Sequence, residues 1–100
     1  MSLLKNEHHQ EALNEMLQTE EMETRLYGEY SVQVAKTHKI IGTILILTQQ
    51  YALATKYFTR AKKIFEDGNF KKQVAEVEDK IVLLKEIKDK QLGRQTGYQF

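Results

Sequence analysis

Three histidines and a run of carboxylates are where any chemistry in this chain would have to start. His8 and His9 are adjacent, His38 stands alone, and Glu20-Glu21-Met22-Glu23 crowds carboxylates onto one short stretch. Consecutive residues on a helix point about 100° apart, so His8-His9 is a poor chelating pair and reads as solvated. His38 lies beside an apolar run and reads as a core or half-buried side chain. A catalytic carboxylate pair needs a cleft and displaced pKa values. Carboxylates interleaved with lysines along solvent-facing helix positions supply neither. The chain has no cysteine, hence no disulfide and no thiolate metal site. GxSxG, HExxH and a glycine-rich phosphate loop are all absent from the sequence. The expectation is a non-enzymatic protein with no catalytic residue, metal or cofactor.

Fifteen basic and fourteen acidic residues leave a formal charge of +1, whereas a nucleic-acid binder concentrates basic charge on one face. Lys71-Lys72 and Arg60, Lys62 and Lys63 are small basic patches with no platform on which bases could stack. The N-terminal MSLLKNEHHQ lacks the apolar core of a secretory signal. The most apolar run, Ile40-Ile41-Gly42-Thr43-Ile44-Leu45-Ile46-Leu47, is far short of the ~20 residues that cross a bilayer. The expectation is a soluble chain, with neither nucleic acid nor membrane as a partner.

The elements that would position these residues are helices. With no proline and five glycines in 100 residues, composition favours helix almost throughout a single domain. Four blocks carry helical periodicity. The first spans about 6–27, with Ala12, Met16, Met22 and Leu26, and stops at Gly28. The second spans about 31–47, with Val34, Ala35, His38, Ile41 and Leu45 on one face and Ser31 as N-cap. The third aligns Tyr51, Ala54, Phe58, Ala61 and Phe65. The fourth, about 70–91, aligns Val74, Val77, Ile81, Leu84 and Ile87. Asp67-Gly68-Asn69 is a turn signal, with Gly68 expected in the left-handed cap position. Tyr27, Tyr30 and Tyr51 read as packing residues near turns. Residues 1–5 are expected to be disordered, 6–92 to form the helical domain and 93–100 a flexible tail. Short connections predict antiparallel neighbours, an all-α chain.

Shifted by forty residues, the chain echoes itself. Residues 28–35 fall over 68–75, sharing glycine, an aromatic and Gln-Val-Ala. Paired helices repeated at about this period mark a helical solenoid. Residues 38–66 resemble a tetratricopeptide repeat, on His38, Ile41-Gly42, Leu45, Tyr51, Ala54, Phe58 and Ala61, with Glu66 where the family closes on proline. Upstream, Glu11-Ala12, Met16, Met22, Leu26, Gly28 and Val34-Ala35 are similar to the longer repeats of the kinesin-light-chain type.

The resemblance implies an α-solenoid fragment of about one and a half to two repeats, with 70–91 as a C-terminal capping helix. In such a hairpin, small residues at Gly42 and Ala54 are expected to let two backbones approach. The resemblance further implies a scaffold module that binds a peptide or partner helix, cytoplasmic or cytoskeletal. Its groove would be lined by Lys36, Lys39, Thr43 and Ile46 on the second helix. On the fourth it would be lined by Glu76, Asp79, Lys80 and Leu83. Lys39 matches one basic position of the family's carboxylate clamp. Thr43 replaces an asparagine, and Glu76 and Asp79 place negative charge where cations are wanted, so a mixed-charge or partly apolar ligand fits better. The chain could equally be part of a longer repeat array or a homodimer. Positions 74, 77, 81 and 84 fit a heptad, and a coiled-coil seam there would make the protein a helical-bundle oligomer whose self-association is its role.

Overall fold

The computed structural model describes residues 2–97, with side chains for 8–90. Helices α1 (Ser2–Tyr27), α2 (Val32–Leu47), α3 (Tyr51–Asp67) and α4 (Lys71–Gly97) follow one another, and there is no strand among the described residues. Helices α1 and α4 run further than periodicity suggests, to Ser2 and to Gly97. A single interior glycine such as Gly93 costs only about 1 kcal/mol, and strong helix formers flank it.

Each helix packs antiparallel on the next in sequence: α1 on α2, α2 on α3, α3 on α4. The result is a slab of 53 × 35 × 18 Å with a radius of gyration of 15.4 Å, more extended than the ~13 Å of a typical 100-residue domain. An 18 Å thickness fits two layers of helices whose axes lie 8–10 Å apart.

The core is the predicted stripe of α2 and α3. Val34, Ala35, Ile41, Leu45, Ala54, Phe58, Ala61 and Phe65 are fully or almost fully buried. From α4, Val77 and Leu84 are buried in the same core, and Val74 and Ile81 pack against it. Of the four heptad positions, Val77 and Leu84 are thus buried within the chain, while Val74 and Ile81 are half-buried.

The atoms nearest Gly42 belong to Phe58. A Cβ built on it would lie 2.7 Å from Cε2 of Phe58, and the three nearest atoms all belong to that ring. The glycine makes room for Phe58, a turn further along α3 than Ala54.

The turns follow from local hydrogen bonding. Ser31 caps α2, its hydroxyl accepting from the Val34 amide at 3.2 Å. Gly28 ends α1 with φ +93°, a conformation L side chains rarely adopt. The α3–α4 turn is a Schellman motif. The Phe70 amide donates to the Phe65 carbonyl and the Asn69 amide to that of Glu66. The left-handed residue there is Asn69, φ 62°, and not Gly68, whose φ is −92°. Gly68 matters for space instead: a Cβ on it would come within 2.6 Å of the Phe70 ring. That ring meets Phe65 edge-on at 6.2 Å, the apolar contact that accompanies such caps. The α2–α3 turn repeats the pattern, with Gln49 left-handed at φ 63° and the Gln50 amide donating to the Leu45 carbonyl.

In α1 the inward stripe departs from the expected one. Leu13 is buried and Ala12, Met16 and Leu17 pack against the core. Met22 and Leu26 are 61% and 67% exposed. Tyr27 and Tyr30 are exposed as well, and of the three tyrosines only Tyr51 packs against the core.

Candidate functional site

Helical spacing continues the inward stripe of α1 from Leu13 and Met16 to Glu20 and Glu23. Two carboxylates there would be costly to bury alone. They are met by the two polar residues buried in α2: the Thr37 hydroxyl donates to Glu23, and His38 Nε2 hydrogen-bonds Glu20. Because a carboxylate accepts, Nε2 carries the hydrogen. His38 Nδ1 is buried with no partner among the described residues.

From α3, Tyr57 meets the His38 ring edge-on at 5.2 Å, and the Arg60 guanidinium lies 5.9 Å from the Tyr57 ring centre. The Tyr57 hydroxyl is pushed above its usual pKa of 10.0 by burial and then by the nearby Glu20 charge, with Arg60 opposing. This polar cluster ties α1 to α2 and α3, and none of its residues lines the 840 Å³ groove described below. The reading of His38 as a core residue fits its burial, whereas sequence reasoning missed Glu20 and Glu23 as its partners. A signal existed: Thr37 and His38 are polar in an otherwise apolar stripe. His8 is exposed, but His9 is half-buried, its Nδ1 shielded and without a partner among the described residues, so the pair is not fully solvated. No group of three or more metal-ligating side chains occurs among the described residues.

The eight groove positions lie on α2 and α4, which run parallel because each is antiparallel to α3. Lys39 Nζ is 3.5 Å from Glu76 Oε2, so these two residues come together across the helix pair. Lys36, Thr43, Asp79, Lys80 and Leu83 are exposed on the same helices, and Ile46 is half-buried against the core. The Thr43 hydroxyl is held by the Lys39 carbonyl at 2.9 Å.

A concavity elsewhere had no counterpart in the sequence reading. It is a groove of about 840 Å³ on the other flank of α4, between α4 and α3, reaching Tyr51, Leu53, Ile81, Leu84, Lys85 and Lys88. None of the eight expected residues lines it. Ile81 and Leu84 belong to the expected apolar stripe of α4, and it is their meeting with the start of α3 beside Lys85 and Lys88 that the sequence did not show.

No family model, curated protein or solved structure matches the chain. No described helix is long and apolar enough to cross a membrane.

Proposed function

We propose that the chain is a non-enzymatic protein-interaction module of the tetratricopeptide type. It binds an extended peptide or a partner helix along the face shared by α2 and α4. The contact between Lys39 and Glu76 carries this reading, because it joins the two parallel helices that would line the groove. On either side of the pair lie cations at Lys36 and Lys80, a carboxylate at Asp79, and the apolar Leu83. With Lys39 already facing Glu76 at 3.5 Å, a ligand carboxylate has to compete for that lysine. This favours a ligand of mixed charge over an acidic tail. Zigzag stacking of helices against sequence neighbours suits a segment of a longer repeat array in a cytoplasmic or cytoskeletal scaffold.

Affinity capture from cell extract with the wild type and a Lys36→Glu/Lys39→Glu variant tests the reading. Loss of specific proteins from the variant is expected. Recovery of the same proteins by both places binding elsewhere.

A further inference from the structure

The α3/α4 flank and the outer face of α1 are complementary in charge and in the order of their features. Two hollows lie along one stripe of α4, which helical spacing carries from Val74 through Glu78 and Ile81 to Lys85. Its C-terminal part carries Lys85 and Lys88 over an apolar floor that includes Ile81 and Leu84. Its N-terminal part is a separate, smaller hollow of about 230 Å³ lined by Phe70, Val74 and Ala75 together with the charged Glu66, Lys71 and Glu78. Glu78, at the edge of the smaller hollow, pairs with Lys62 of α3 at 3.7 Å. Neither Lys85 nor Lys88 has an ion partner among the described residues.

The outward stripe of α1 reads Glu11, Glu15, Gln18, Met22 and Leu26, all exposed. Glu11 and Glu15 are likewise without an ion partner among the described residues. The charge of the whole chain is split the same way. Residues 1–29 hold seven acidic and two basic side chains, and residues 30–100 hold seven acidic and thirteen basic ones. The near-neutral total conceals a dipolar molecule.

We propose that α1 of a second copy of this chain docks in the α3/α4 groove, occupying the place of a fifth helix. Continuing the alternation of helix direction, the incoming α1 runs antiparallel to α4. Its acidic N-terminal half then meets Lys85 and Lys88, and Met22 and Leu26 meet the hollow at Phe70 and Val74. A parallel arrangement would set the acidic and basic ends apart. The contact joins two different faces, so it is heterologous and propagates head to tail, closing into a ring or extending as a filament. It leaves the α2/α4 face free and does not rest on the binding role proposed above.

Sedimentation velocity over a range of protein concentrations tests this, with circular dichroism melting to show that every variant is folded. Wild type is expected to form species that grow with concentration and shrink as salt is raised. Lys85→Glu/Lys88→Glu and Glu11→Lys/Glu15→Lys should each weaken association roughly tenfold or more, with melting unchanged because all four side chains are exposed. The quadruple variant, with both signs reversed, should recover it. A wild type that stays monomeric throughout, pairs of substitutions that associate as wild type does, or a folded quadruple variant that fails to recover association would each overturn the proposal.

Discussion

The ring of Phe58 occupies the space a side chain at residue 42 would need, its Cε2 only 2.7 Å from where the Cβ would be. Both residues are buried, Phe58 completely. Alanine should therefore be harmful at 42 despite a helix-propensity gain of roughly 1 kcal/mol, because overpacking of a full core costs about 1–3 kcal/mol. Gly42→Ala is expected to lower the melting temperature by several degrees and Gly42→Leu by more. Combining Gly42→Ala with Phe58→Leu should cost less than the two changes summed, since the smaller side chain vacates the contested volume. Strict additivity in thermal melts would show that Phe58 is not what position 42 accommodates.

The contacts of Glu20 and Glu23 with α2 make a comparison within α1 informative. Glu20→Ala removes the partner of a buried histidine and is expected to cost about 1–3 kcal/mol. Glu21→Ala breaks only the exposed pair with Arg25, 2.7 Å apart, and should fall within about 0–1 kcal/mol. Urea denaturation of both variants measures the difference, and equal losses would deny the inward placement of Glu20.

Tyr57 sets an alkaline limit. Its pKa is raised in the folded chain above the ordinary 10.0, first by burial and then by the Glu20 charge, so the folded state holds the phenolic proton more tightly than the unfolded one. By linkage, this contribution to stability is intact below pH 10 and is lost as pH rises through the higher folded-state value. Tyr57→Phe should flatten the fall of stability above pH 10. Denaturation midpoints measured from pH 9 upward, with ultraviolet absorbance following the phenolate, would reveal a parallel decline if Tyr57 plays no part.

Gln49 holds a left-handed backbone at φ 63° without the freedom of glycine. Left-handed geometry costs an ordinary residue roughly 1–2 kcal/mol, part of which glycine returns through its greater entropy when unfolded. Gln49→Gly should raise stability by about 0.5–1 kcal/mol, whereas Gln49→Val should lower it. Chemical denaturation of the pair distinguishes them, and a destabilising glycine would contradict the cap.

Sequence by itself determined the four helices and the shared stripe of α2 and α3, because 3.6-residue periodicity and propensity are properties of neighbouring residues. The Ser31 cap and the stop at Gly28 were legible for the same reason. The left-handed turns at Gln49 and Asn69 are local as well, closed by the Gln50 and Phe70 amides on carbonyls five residues back, although Gly68 had drawn the expectation to the wrong position. Tertiary structure decided which face of α1 turns inward. An apolar pattern pointed to Met22 and Leu26, yet Glu20 and Glu23 took the inner positions, since Thr37 and His38 on another helix satisfy them. The approach of Lys39 to Glu76 and the α3/α4 groove likewise belong to distant segments brought together. Whether a polar side chain can be buried depends on what meets it across the helix interface, and that partner is absent from any local stretch of sequence.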